Sequence, residues 1–176
     1  MKFALIDRIV ELEPGTRIVA VKAVSLAEEY LADHFATFPV LPGVFMLEAL
    51  VESAAWLVRQ HEDFAHSLIL LKQANNVTYK SFVKPGRLLR LEVHCRRLAQ
   101  GDSEFSGTGY CDEMEVVKAR FALRHLNLAD RDPGMAHADA RLVAALRARW
   151  ALITGSRVPR PEGRSEPAVD PKGATE

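Results

Sequence analysis

The sequence predicts an α+β fold, an antiparallel sheet wrapped around one long central helix. Three observations carry that expectation. Residues 44–58 place Phe45, Met46, Leu47, Ala49, Leu50, Val51, Ala54, Ala55, Trp56 and Leu57 around nearly every direction of a helical projection, the pattern of a buried helix. From Leu68 onward the period changes, and four runs with strand character follow one another, separated by turn sequences. Ahead of the helix, a segment holding His34, Pro39, Pro42 and Gly43 is a shaped loop, because each proline fixes φ and keeps the preceding residue extended.

In chain order, Glu13-Pro14-Gly15 reads as a turn that opens a strand from Arg17 to Val24, with Ile18, Val19, Val21 and Val24 among polar residues. Leu26 to Leu31 is expected to form one helical turn before the histidine loop. Gly43 marks a tight entry into the helix from Val44 to Val58, whose polar exceptions are Glu48, Glu52 and Ser53. The strands Leu68–Tyr79, Leu88–Leu98, Glu104–Tyr110 and Val116–Leu126 are divided by turns at Lys84-Pro85-Gly86, Gln100-Gly101-Asp102 and Asp112-Glu113. A second helix is expected over Ala138–Leu152, with Leu142, Leu146, Trp150 and Ile153 as its apolar stripe and Asp139 near its positive end. The expected organisation is a main domain over residues 1–126, a C-terminal helical extension over 127–154, and a tail over 155–176. That tail is rich in Pro, Gly and charge, and it is expected to be disordered because it has too little apolar surface to offset its ordering entropy.

Composition narrows the function classes. Lys plus Arg and Asp plus Glu balance at 23 each, so no global charge points to nucleic acid or a membrane surface. Cys95 and Cys111 are too few for a disulfide framework or a metal site of usual spacing. No His, Cys and carboxylate cluster has ligand spacing along the chain, so neither a metal nor another cofactor is expected. No apolar run is long enough for a membrane span or a signal peptide, and a cytoplasmic location is the expectation.

The stretch from Ile6 through Val58 resembles the FabZ/FabA family of 3-hydroxyacyl-acyl-carrier-protein dehydratases, which have the hotdog fold. His34, Phe35, Pro39, Pro42, Gly43, Val44 and Glu48 match the family pattern of a histidine, a proline-rich loop, Gly-Val and an acid on the helix, with the histidine-to-acid spacing kept. Asp7-Arg8, Glu13-Pro14-Gly15 and residues 83–93 are similar to the family as well, so the likeness covers about residues 5–125. Three positions depart from the pattern: Asp33 stands where the family usually has Gly, Ala36 replaces the first proline of the motif, and Glu48 is followed by Ala49-Leu50-Val51-Glu52. The resemblance implies a lyase of fatty-acid or related acyl-chain synthesis, converting 3-hydroxyacyl thioesters on acyl carrier protein to trans-2-enoyl thioesters. It also implies a homodimer whose site joins His34 of one subunit to Glu48 of the other, with a trimer of dimers as a larger option.

The residue types suit that chemistry. An imidazole accepts a proton near neutral pH, so His34 is expected to take the Cα proton. A carboxylic acid can protonate a departing hydroxide if apolar surroundings raise its pKa, the role expected of Glu48. Unpaired N–H groups at a helix start polarise a carbonyl, the role expected of Gly43, with Val44 as a second donor. Phe38, Leu41 and Val44 are expected to contact the acyl chain. Glu52 lies four residues from Glu48 on the same helix face. It is expected either to modulate the Glu48 pKa by like-charge repulsion or to pair with a cation such as an arginine across the subunit interface.

Other features have plainer readings. His61, His66, His94, His125 and His137 lack comparable surroundings and read as surface or packing residues. Lys80, Lys84, Arg87, Arg90, Arg96 and Arg97 read equally as a basic face for an acidic carrier protein, centred on Lys84 and Arg87, or as a solvated strand face. Two other functions fit the same scaffold: a hotdog acyl thioesterase, and a non-catalytic acyl-binding subunit.

Overall fold

The computed structural model describes residues 4–35 and 37–155. The expected disordered tail lies outside the described residues from residue 156 onward. Six antiparallel strands form one sheet: β1 (Arg8–Glu13), β2 (Arg17–Ala23), β3 (Leu68–Tyr79), β4 (Leu88–Ala99), β5 (Asp102–Cys111) and β6 (Met114–Leu126), in the order β1-β2-β4-β5-β6-β3. The helix α2 (Gly43–His61) lies in the concave face, and a short α1 (Tyr30–Asp33) precedes it. This is the expected antiparallel sheet around a central helix.

The helix buries Met46, Ala49, Leu50, Val51 and Ala54 through Val58 against inward residues of β2, β4, β5 and β6. Ser53 is fully buried, and its hydroxyl donates to the Ala49 carbonyl one turn back at 2.8 Å, so its burial leaves no orphaned polar group. Gly107 on β5 allows close contact between helix and sheet. A Cβ there would lie 3.0 Å from a Leu50 methyl and 3.3 Å from the Phe121 ring, so those side chains would have to give way. The β5–β6 hairpin turns through Asp112 and Glu113, both at positive φ (49° and 66°), which matches the twist of the strands it joins.

The structure corrects three expectations. Arg8–Glu13 is a sixth strand that the sequence reading omits. It is an edge strand, mostly exposed, and its register shifts between Ile9 and Glu11, so it lacks a clean period of two. The helical turn expected over Leu26–Leu31 lies instead at Tyr30–Asp33, because the Ser25 hydroxyl accepts the Ala27 N–H and holds the earlier residues in a turn. In the C-terminal helix α3 (Ala136–Ile153), Leu142 faces out, and Val143 packs against the core with Leu146, Trp150 and Ile153.

That helix is anchored at both ends. At its start the Asp139 carboxylate accepts the N–H groups of Leu128 and Ala129, each at 2.9 Å, and the Ser67 hydroxyl. Toward its end Trp150 packs at a tilt against Trp56 and meets Phe64 edge-on, with ring centroids 5.9 and 6.2 Å apart. Arg147 lies over the Phe64 ring and binds Asp63. No described helix is long and apolar enough to cross a membrane.

Candidate active site

His34 caps the C-terminal end of α1, with its N–H donating to the Tyr30 carbonyl at 3.1 Å. The next residue, Phe35, has φ of 51°, a left-handed conformation unusual for a bulky side chain. That outlier turns the chain directly after the imidazole, and the Phe38 N–H closes the turn onto the Phe35 carbonyl at 2.7 Å. The loop is then tied to the β3–β4 connection, where the Leu41 N–H donates to the Val83 carbonyl at 2.8 Å. Leu41 is buried in the core, whereas Val44 is exposed and Phe38 is exposed edge-on to Phe82.

Pro42 ends the loop in an extended conformation, and α2 starts at Gly43. The N–H groups of Phe45 and Met46 donate to the Pro42 carbonyl at 2.9 and 3.2 Å. Those of Gly43 and Val44 sit in the first turn, where a helix supplies no acceptor. They point out along the positive end of the helix dipole, a polarised pair of donors. Gly43 has no positive φ, so the tight turn expected there is not what favours glycine; a close contact is. A Cβ there would approach the Tyr79 ring to 3.2 Å, and the ring of β3 covers this helix start.

Glu48 lies just over one turn into α2. In the single chain it is exposed, yet surrounding protein partly desolvates its carboxyl. Desolvation raises its pKa above the ordinary carboxylate value, and the negative charge of Glu52 adds to the rise. Among the described residues no hydrogen bond or ion pair joins Glu48 to His34 within one chain.

Glu52 has three donors. The Leu5 N–H reaches Oε2 at 3.0 Å, and Arg149 Nη2 and Trp56 Nε1 reach Oε1 at 2.9 and 3.4 Å. An arginine pairing thus exists within the chain, supplied by Arg149 of α3. The cation is 97 residues away in sequence, so no local pattern could identify it. The basic face is largely neutralised: Lys80 pairs with Glu115, Arg87 with Asp112, Arg90 with Glu92 and Arg97 with Glu104. Lys84 has no acidic partner among the described residues, and its ammonium rests 5.0 Å from the centre of the Phe38 ring.

Sequence reasoning missed one cluster. His66 and His125, read singly as surface or packing residues, meet Glu62 at the far end of α2. Only the Glu62/His66 spacing of four residues on the chain hinted at it.

An antiparallel sheet wrapped around a central helix, with a histidine at the helix entrance and an acid just over one turn inside, defines a hotdog-fold protein. The FabA-like domain model matches residues 1–120, and the chain belongs to the FabZ/FabA-like dehydratase family. A 3-hydroxyacyl-[acyl-carrier-protein] dehydratase FabZ of Chloroflexus aggregans is 43% identical over 99 residues, covering 56% of this chain and 69% of the relative. The FabZ of Symbiobacterium thermophilum is 38% identical over 123 residues, covering 69% and 87%. Among solved structures, the dehydratase heterocomplex ApeI:P from Xenorhabdus doucetiae superposes with a TM-score of 0.62 at 16% identity, covering 76% of this chain and 90% of that one. At that identity the likeness concerns the fold.

Proposed function

We propose that this chain dehydrates 3-hydroxyacyl thioesters carried on acyl carrier protein to trans-2-enoyl thioesters, the reaction for which its FabZ relatives are named. The observation that carries the assignment of roles is the order along one short stretch: imidazole, rigid loop, helix-start donors, and a carboxyl whose pKa is raised. His34 takes the Cα proton. The electron pair left behind forms the Cα–Cβ double bond as the Cβ–O bond breaks. Glu48, its pKa raised by desolvation and by the charge of Glu52, gives its proton to the departing hydroxide, which leaves as water. The Gly43 N–H, with Val44 beside it, stabilises the negative charge that builds on the thioester oxygen.

A homodimer belongs to this reading, with His34 and Glu48 of different subunits completing each site. Two observations support it: the absence of a direct contact between the pair among the described residues of one chain, and the unpaired edge of β3. That edge strand is 12 residues long and exposes Leu70 and Leu71, a surface suited to covering by a second copy. Phe38 and Val44 are the exposed apolar candidates for acyl contact, while Leu41 supports them from the core. Lys84 is the available cation for an acidic carrier protein, since Arg87 already has an acidic partner.

A spectrophotometric assay with a series of 3-hydroxyacyl thioesters tests the proposal. The expected result is enoyl formation by the unaltered protein, with losses of about a hundredfold or more in His34→Ala and Glu48→Gln. Turnover at the unaltered rate in both variants overturns the assigned roles. Thiol release without an enoyl chromophore would select a thioesterase instead, and tight acyl binding without turnover a non-catalytic subunit.

A further inference from the structure

Glu62, His66 and His125 converge where α2 ends, on the side of the fold away from the catalytic pair. We propose that these three side chains form a binding site for one divalent transition-metal ion, zinc by the character of its donors. Glu62 Oε1 lies 2.9 Å from His125 Nδ1, and Oε2 lies 2.7 Å from His66 Nδ1. One donor atom from each residue falls within 4.8 Å of the other two. Two imidazole nitrogens and a carboxylate oxygen are ligands of borderline hardness, a set that suits zinc and leaves a fourth position for water. Bonds of about 2.0–2.2 Å in a tetrahedral site put ligand atoms roughly 3.3 Å apart. The two contacts to Glu62 need to open by about half an ångström, and the widest donor separation, within 4.8 Å, needs to close toward the same value as Glu62 and His66 rotate.

The surroundings meet the further requirements of a metal site. His125 is completely buried on β6, which is paired on one side with β5 and on the other with β3, so its ring cannot swing away. Its second nitrogen, Nε2, lies 2.7 Å from the hydroxyl of buried Ser103. A hydroxyl can donate or accept. It donates to Nε2 when the ring proton sits on Nδ1 and points to Glu62. It accepts from Nε2–H when an ion occupies Nδ1, the outer-shell contact that fixes a ligating imidazole. Glu62 and His66 are partly open to solvent, at 17% and 23% of their side-chain surface, which provides an entry path and room for water.

Placement suggests what the ion does. Glu62 ends α2, His125 belongs to β6, and His66 precedes Ser67, whose N–H and hydroxyl hold Asn127 and Asp139 at the root of the C-terminal extension. An ion here clasps helix, sheet and extension together. By helix geometry it lies about 20 Å along α2 from Glu48, so it is a structural site separate from the reaction.

The test uses the untagged full chain, stripped with a chelator and titrated with zinc by calorimetry and with cobalt(II) by visible absorbance. One equivalent of zinc is expected to bind, with a melting temperature about 5–10 °C higher at a hundredfold excess over Kd. His66→Gln and Glu62→Gln should each weaken binding by at least about tenfold, while His34→Ala leaves it unchanged. Cobalt absorbance typical of a four- or five-coordinate nitrogen and oxygen site should vanish in His66→Gln. The proposal is overturned if no stoichiometric ion binds, if His66→Gln and Glu62→Gln bind as the unaltered chain does, or if binding is lost in His34→Ala.

Discussion

Glu52 is bound on one side to Arg149 and acts electrostatically on Glu48 on the other, so two substitutions separate its structural role from its chemical one. Glu52→Gln removes the negative charge and keeps one acceptor oxygen, enough for either the Leu5 N–H or the indole of Trp56, which now bond to different carboxylate oxygens. Arg149→Met removes the cation and keeps most of the apolar stem. The pair is partly buried, with side-chain exposures of 34% for Arg149 and 19% for Glu52. Its contribution should fall between that of an exposed pair and a buried charge-assisted hydrogen bond, at about 1 kcal/mol. Each variant should therefore melt about 2–4 °C lower for a chain of this size. Their effects on catalysis should have opposite signs. Glu48 donates only when protonated, so the rate falls as pH rises through its pKa. Desolvation and then the Glu52 charge raise that pKa. Glu52→Gln removes the second cause and should move the alkaline limb of kcat/KM to lower pH. Arg149→Met leaves the Glu52 charge uncompensated and should move the same limb to higher pH. The assay is enoyl formation across a pH series, run beside thermal melts. If both variants melt earlier while the limb stays in place or moves in one direction for both, Glu52 is an anchor alone and its role in tuning Glu48 is refuted.

Further outcomes follow from the same geometry. Trp150→Ala should destabilise the chain by about 2 kcal/mol, roughly half the cost of truncating a fully buried tryptophan, because the ring is only partly buried between Trp56 and Phe64; a urea midpoint equal to that of the unaltered chain would show that α3 is not held through this ring. Gly43→Ala pushes a methyl against the Tyr79 ring and displaces the helix-start donors. It should lower kcat by about a hundredfold with a much smaller change in melting temperature, and adding Tyr79→Ser should restore part of the loss; an unchanged kcat would remove the close-approach argument. Lys84→Glu should weaken carrier-protein binding most at low salt, and the difference should shrink as ionic strength rises; equal affinity at low salt would exclude docking through this residue.

Much of the fold is written locally. Leu68–Tyr79 reads as a strand in both sequence and structure, because its turn signals and β-branched residues constrain φ and ψ in place. The central helix is legible for the same reason, though its last turn through His61 is polar and escapes an apolar count. β1 escapes because an exposed edge strand with a register shift has no buried face to impose alternation. Leu142 and Val143 show the limit of periodicity. Both fit a helical stripe, and only the angle at which α3 meets Trp56 and Phe64 selects Val143.

By itself the sequence determined the loop between His34 and Gly43, the helix that carries Glu48, the hairpin turns and the family to which these belong, because proline, glycine and apolar spacing act on their own neighbours. Tertiary structure alone decided which cation meets Glu52, that most of the basic strand face is already neutralised, and that Glu62, His66 and His125 share one corner. Those are choices among charged and polar groups far apart in the chain. A carboxylate can satisfy its desolvation with any donor the packing delivers, and packing is a property of the whole fold.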